Sequence, residues 1–375
     1  MFTFTASAIL ATTTSHTPAA PPRHAWSALE RELDALTAGL AQPNAGPTVG
    51  GWIRTRYANS GDVDTDTVTP SSQDLGGFNL DNARIFITGR AADGYGYTLS
   101  AEGGDGAISD AAGASVASDV LSLLDAYASV TLGDWASVSI GRFSSTFLWS
   151  SGIEDRRLMF LERGFLGEVW DGRDVGFELS GTVDRFNWWA AVQNGSDSTA
   201  DEYALSSRLS YHVLGASLRG DEGCHGLHDD EHLTIGVAWF DDARLDDGTA
   251  VGADALFAKG RWSSIAEIVD FDDDVRPGAA INSSTGAVIP TAASITGAET
   301  PWNVSLGYML APDEWEIAAR YQDLDDDDET TVVTAALDRY IAGHDAKWTL
   351  QFDRARSDAA ALEVDVWAVG LTVGF

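Results

Sequence analysis

Lysine is almost missing from this chain. Only Lys259 and Lys347 occur in 375 residues, and 57 acidic against 23 basic side chains leave a formal net charge of −34. Such a chain cannot neutralise a run of phosphates, so nucleic-acid binding is excluded. A lone cysteine, Cys224, rules out a disulfide framework. No run of about 18 apolar residues exists, which excludes a membrane-spanning helix. Seven histidines lie mostly in turns or near the N-terminus, and no Gly-x-Ser-x-Gly elbow is present, so no catalytic triad can be named and no catalytic residues are expected.

What the chain does have is alternation. From Val364 to Phe375 the residues Trp367, Val369, Leu371, Val373 and Phe375 fall on one face, while Ala368, Gly370, Thr372 and Gly374 fall on the other. A strand that is apolar on one side, small or polar on the other, and finishes on an aromatic suits a lipid-facing barrel. The same period predicts sixteen strands, at about 48–58, 78–90, 95–103, 123–132, 136–143, 174–181, 186–193, 202–213, 231–240, 249–258, 262–270, 302–310, 315–323, 331–341, 345–353 and 364–375. Most are eight to twelve residues, enough for a tilted strand to cross a bilayer. Connections alternate between short, as in Gly133-Asp134-Trp135 and Lys259-Gly260-Arg261, and long and acidic. That parity predicts an all-β, sixteen-stranded antiparallel up-and-down transmembrane barrel over residues 48–375, with short periplasmic turns and long external loops. The seventeen residues from Gly215 to Glu231 are long for a turn.

Facing lipid is costly for a charged side chain, about 2 to 4 kcal/mol for Arg at the midplane, so charges concentrated on one face of each strand mark a wet interior. Ile53, Ile85, Leu99, Ile140, Phe177, Leu209, Val237, Leu306, Ile317 and Leu350 share the outward phase, and Trp135, Trp262, Trp302, Trp315 and Trp348 stand near strand ends. On the inward phase the expected pore lining is Arg54, Arg56, Arg84, Arg90, Asp125, Glu178, Arg208, Asp254, Glu267, Glu316, Arg320 and Lys347, with Glu102 and Asp338 also inward.

Ahead of the barrel, residues 1–22 read as a signal-like segment, or alternatively as the product of a mis-assigned start. Residues 23–42 carry Trp26, Leu29, Leu33, Leu36 and Leu40 at spacings of three and four, an a/d stripe. Two heptads are too short to hold alone, so a short coiled-coil helix that drives oligomerisation is expected, with an amphipathic helix packed on its own chain as the alternative.

The connection at residues 144–173 differs from the other long loops in composition. Phe147, Leu148, Trp149, Leu158, Met159, Phe160, Leu161, Phe165, Leu166 and Trp170 need a non-aqueous partner. Folding into the barrel supplies it, with the inner wall near Phe86, Phe143 and Trp189 as the expected contact surface. The loop would then narrow the channel and present Glu154, Asp155, Arg156, Arg157, Glu162, Arg163, Asp171 and Arg173 as constriction charges. An ion pair of Glu162 and Arg163 that merely anchors the loop is an equal alternative. Cys224, His225, His228 and His232 cluster with Asp229 and Asp230, but the spacing fits no established metal finger, and a solvated polar turn is expected there. The acidic runs at 270–274 and 323–329 predict a negative external rim, with calcium or another divalent cation as a bridge to anionic surface lipid and no site assigned.

Three segments carry a family resemblance: Ile140-Gly141-Arg142-Phe143, then Leu158-Met159-Phe160-Leu161-Glu162-Arg163, then Gly172-Arg173-Asp174-Val175-Gly176. With Phe78 to Gly89 and Leu124-Asp125-Ala126-Tyr127 beside them, this stretch resembles the phosphate-selective porin O and P family. The resemblance is most specific over residues 78–195. It implies an outer-membrane homotrimer of sixteen-stranded barrels, lipid and lipopolysaccharide as surroundings, small hydrophilic solutes or ions as cargo, and phosphate selectivity from arginine and lysine clusters. The acidic excess and the two lysines point instead to a weakly selective or cation-preferring diffusion pore. A structural or adhesive barrel with a plugged lumen is the reading from a different class.

Overall fold

The structure, a computed structural model, describes residues 46–60, 75–104, 121–195, 203–215, 220–227, 230–242, 248–272, 276–281, 287–293, 297–358 and 362–375. The expected helix at 23–42, the segment at 1–22 and His228 lie outside the described residues. The strands are β1 (Thr48–Ser60), β2 (Leu75–Ala92), β3 (Tyr95–Gly103), β4 (Ser122–Thr131), β5 (Ala136–Ser144), β6 (Arg173–Val183), β7 (Phe186–Gln193), β8 (Ala204–Leu214) and β9 (Glu231–Asp242). They continue with β10 (Gly248–Lys259), β11 (Trp262–Phe271), β12 (Pro277–Ile281), β13 (Val288–Ala293), β14 (Trp302–Ala311), β15 (Trp315–Asp323), β16 (Thr331–Tyr340), β17 (Ala346–Ser357) and β18 (Leu362–Gly374).

All of these except β12 and β13 form one closed antiparallel barrel in which each strand pairs with its neighbours in sequence and β1 pairs with β18. Closure is reciprocal, because the Gly51 amide donates to the Phe375 carbonyl at 3.1 Å and the Phe375 amide donates to Gly51 at 2.9 Å. A closed sheet leaves no unpaired edge, which is what hydrocarbon demands of a spanning structure. Each of the sixteen expected segments falls on a barrel strand, with ends shifted by a few residues. The hairpin β12–β13 is an addition that the sequence reading missed. It lies within the long connection from β11 to β14, where Pro277 and Pro290 obscure a strand pattern.

Alternation sorts the two faces as expected. Along β18, Trp367, Val369 and Val373 are exposed on the outside while Ala368 and Thr372 are buried inside. Ile53, Ile140, Val237, Leu306 and Leu350 stand outward in the same way. Trp135, Trp262 and Trp348 are exposed on this outer face near strand ends, the depth that amphipathic rings prefer. The inner face is strongly polar, with Arg54, Arg56, Arg208, Glu267, Glu316, Arg320 and Lys347 all under a tenth exposed.

Candidate functional site

The lumen is the place where this chain collects its chemistry, and one sector of it is filled. Residues 144–173 leave β5, turn inward through two short 3-10 turns (Ser150–Gly152 and Asp155–Arg157) and the five-residue helix α1 (Phe165–Val169), and return to β6. A chain without regular partners inside a barrel must satisfy its peptide groups by other means. Inward side chains do this. The Arg208 guanidinium on β8 donates to the Phe147 carbonyl at 2.7 Å, and Arg320 on β15 donates to that of Glu162 at 3.0 Å. Lys347 on β17 donates to the Leu158 carbonyl, and Arg54 on β1 to those of Asp155 and Leu161. Carboxylate and amide oxygens take the loop's N–H groups: Glu267 from Ser150 at 3.0 Å, Gln351 from Leu161 at 2.7 Å and Gln322 from Phe165 at 2.7 Å.

Glycines on the inner wall make room for the loop's large side chains. A Cβ on Gly252 of β10 would stand 2.7 Å from the Phe147 ring, and one on Gly307 of β14 would stand 2.7 Å from the Met159 sulfur. On β18, a Cβ at Gly370 would overlap Leu161. The loop's apolar side chains therefore pack on β9–β11, β14–β16 and β18. The expected surface near Phe86, Phe143 and Trp189 does not take them. The reason is volume: that wall offers bulky aromatics, whereas the opposite wall offers glycines and alanines. Phe147 stacks on Trp170 with ring centroids 3.8 Å apart, and Trp170 meets Phe240 at 4.8 Å and Phe271 at 5.9 Å. Deeper in the sequence, Leu161 packs with Ala58, Val364, Val366 and Ala368.

Two further segments close this sector. From the long-loop end, hairpin β12–β13 packs on α1 and places Val288, Ala279 and Ile281 on the aromatic cluster. From the short-turn end, residues 220–227 tuck into the barrel. The Glu222 amide donates to the Arg157 carbonyl at 3.1 Å, the Glu222 carboxylate accepts the Met159 amide at 2.8 Å, and the Glu316 carboxylate accepts the Cys224 amide at 2.8 Å. The solvated turn expected around Cys224 is therefore corrected. Cys224 is buried among Leu227, Ala258, Met309 and Tyr340, and His225 lies against the rings of Tyr340 and His344. Its seventeen-residue length is what lets this connection reach inward. Burial pushes the Glu222 carboxyl up and drives His344 well below its ordinary value. Among the described residues no three His, Cys, Asp or Glu side chains converge to hold a metal ion.

The inner wall of β3 to β7 keeps contact with solvent in its short-turn half, whereas Ser100, Glu102, Phe143, Ala191 and Gln193 nearer the long loops are buried. Where residues 144–173 approach it, charges from both sides interleave. Arg84 meets Glu102 at 2.5 Å, Arg56 bridges Asp81 at 2.8 Å and Glu162 at 2.5 Å, and Arg163 meets Asp155 at 2.5 Å. Arg173 reaches Asp171 at 2.7 Å and Asp125 at 3.5 Å. Asp155 sits at the centre. Burial pushes its carboxyl up, but Arg163, Arg84, Arg54 and Arg173 outweigh that and hold it at about 2. Below this belt, toward the short-turn end, the inward positions are Thr98, Tyr127, Ser129, Ser137, Ser139, Glu178, Ser180 and Trp189, all partly exposed.

All twelve expected lining residues occur on the inner-facing phase, but the structure divides them. Arg208, Asp254, Glu267, Glu316, Arg320 and Lys347 lie beneath residues 144–173 and 220–227, and act there as anchors. Arg54, Arg56, Arg84 and Asp125 belong to the charged belt, Glu178 to the open wall, and Arg90 to an exposed rim position at the end of β2. Among the loop charges, Asp155, Glu162, Arg163, Asp171 and Arg173 join the belt. Glu154, Arg156 and Arg157 pair lower down, Arg156 with Glu154 at 2.6 Å and Arg157 with Asp221 at 2.5 Å. Glu162 and Arg163 do not pair with each other. Glu162 goes to Arg56, and Arg163 to Asp155. The sequence reading missed Asp81. It sits at the register shift where Arg54 pairs with Asn82 and Thr55 with Leu80, so a bulge turns it inward against strict alternation. It also missed Gln322 and Gln351, whose only signal is the inward phase they share with Arg320 and Asp353.

A sixteen-stranded antiparallel barrel with a polar inner face and an in-folded connection defines a porin-type barrel of the bacterial outer membrane. The sequence profile of the phosphate-selective porin O and P family matches residues 53–219, from within β1 to just past β8, and this part of the barrel is similar to that family. No curated protein matches the chain by sequence. Solved structures with a similar fold include OmpF of Salmonella typhi in complex with daunomycin, at 12% identity and TM-score 0.55 over 88% of this chain and 97% of that one. OprB of Pseudomonas putida at high pH is similar at 10% identity and TM-score 0.55 over 92% and 97%. A loop L8 deletion mutant of OmpT of Vibrio cholerae follows at 12% and 0.53 over 88% and 99%. At these identities the likeness concerns the fold.

Proposed function

We propose that this porin is a passive diffusion pore for small hydrophilic solutes and ions, narrowed by residues 144–173 and weakly selective or cation-preferring. The observation that carries the reading is the charged belt. Arg56, Arg84, Arg163 and Arg173 each lie within 2.5 to 3.5 Å of a carboxylate, and Arg54 is spent on the carbonyls of Asp155 and Leu161, so little uncommitted positive charge is left to hold an anion. The overall charge of −34 biases the mouths toward cations. Solutes travel along β3 to β7, the wall that retains solvent contact. Phosphate selectivity, as the family's description has it, is the competing reading, and the belt's arginines are what favour it.

The sealed sector supports a second reading, a barrel closed to transport whose role is structural. Single-channel recording in planar bilayers with ion substitution decides among the three. We expect steady conductance and a reversal potential of weak or cation preference. Strong anion preference, or block of chloride current by micromolar phosphate, would restore the phosphate-selective reading, and absence of any conductance would leave the structural one. Assembly as a homotrimer aided by Trp26, Leu29, Leu33, Leu36 and Leu40 is part of the same proposal. An oligomer of unchanged heat stability after Leu29, Leu33 and Leu36 are changed to Glu would remove the helix from it.

A further inference from the structure

The open wall is chemically unlike the belt above it. Inward positions on the short-turn half of β4 to β6 read Ser129, Thr131, Ser137, Ser139, Ser180 and Thr182, a field of hydroxyls in which Glu178 is the one carboxylate. Some of these hydroxyls already have partners. Ser137 and Ser180 are 3.3 Å apart across β5 and β6, and the Thr182 hydroxyl donates to Asn187 at 2.7 Å. Beside them the Trp189 indole stands on β7, inward because its neighbour Trp188 lies on the outer face against Trp135. Thr131, Ser137, Ser180, Thr182 and Trp189 line one recess together with Gly133 and Asp134 of the turn. Arg208 sits 5.9 Å from the indole and is spent on Asp254 and the Phe147 carbonyl.

We propose that this recess is a transit site for neutral polyhydroxylated solutes, of the sugar and polyol class. The inference rests on the pore reading and names a cargo for it. An indole face offers apolar contact to the C–H face of a sugar ring, and flanking hydroxyls exchange hydrogen bonds with the sugar's own. A neutral solute loses nothing to the scarcity of unpaired charge here, whereas an ion gains nothing. Because the recess is open on the lumen side and its donors already have partial partners, binding is weak enough for release. A conducting pathway requires that.

The test is current block in planar bilayers with the full chain, comparing glucose with a polyethylene glycol of similar hydrodynamic size, each added to the short-turn side. Glucose should reduce the current at lower concentration than the polymer, with added noise from binding. Trp189→Ala should raise the glucose half-blocking concentration about tenfold, the scale of one lost aromatic contact, and leave the polymer's unchanged. Ser137→Ala with Thr182→Val should weaken glucose block in the same selective way. A conducting pore in which glucose and polymer block alike, or in which Trp189→Ala leaves glucose block unaltered, would overturn the site while keeping the pore. A barrel that carries no current would overturn the pore reading itself.

Discussion

The inner wall from β8 round to β18 and the inner wall from β3 to β7 are built from the same alternating strands, yet one is sealed and the other is wet. The difference lies in the small residues. On the sealed side Gly252, Gly307 and Gly370 leave hollows into which Phe147, Met159 and Leu161 fit, and long polar side chains between them reach the loop backbone. On the open side Tyr127, Phe143 and Trp189 fill that space, and the loop presents its charges to this wall instead of its apolar side. A barrel with the same strand pattern all round is thus filled on one side only, and side-chain volume decides which side.

The most severe way to break this contrast is to remove what seals one side. Deleting residues 150–168 should raise single-channel conductance severalfold while the barrel still shifts on heating in gels, because strand pairing does not depend on the loop. Unchanged conductance would mean that some other segment sets the bore.

A smaller perturbation tests the hollows themselves. Gly370→Leu forces Leu161 off its seat, and overpacking of this kind costs about 1 to 3 kcal/mol. The expected readout is a lower temperature for loss of the folded gel species, together with noisier current as the loop loses its seat. The same substitution at Gly46, ahead of β1, where a Cβ meets nothing and no left-handed backbone is required, serves as the contrast.

The mildest test is acid. The Asp155 carboxyl is held at about 2, below its ordinary value near 4, so its pairing with Arg163 is complete above about pH 4 and is lost as pH falls through about 2. The Asp155 carboxylate should therefore stay ionised from pH 7 to about 4 and take up its proton only below about 3, read from the NMR shift of its carboxyl carbon. An inflection near pH 5 would show that Asp155 is not what holds the belt together.

The sequence by itself determined the barrel. Period-two alternation is enforced by lipid on one face and water on the other, so strand number, inward and outward phase, and the short-long parity of connections were all written in local pattern. The apolar residues at 144–173 also announced a loop that could not stay in water. Tertiary structure alone decided where that loop lies, which inward charges are pathway and which are anchors, and that residues 220–227 turn inward. Such matters depend on complementary volumes and on donors and acceptors from strands far apart in sequence, and a local period carries no record of them. Asp81 shows the limit sharply, since a single bulged residue reverses its face and only the pairing of β1 with β2 reveals it.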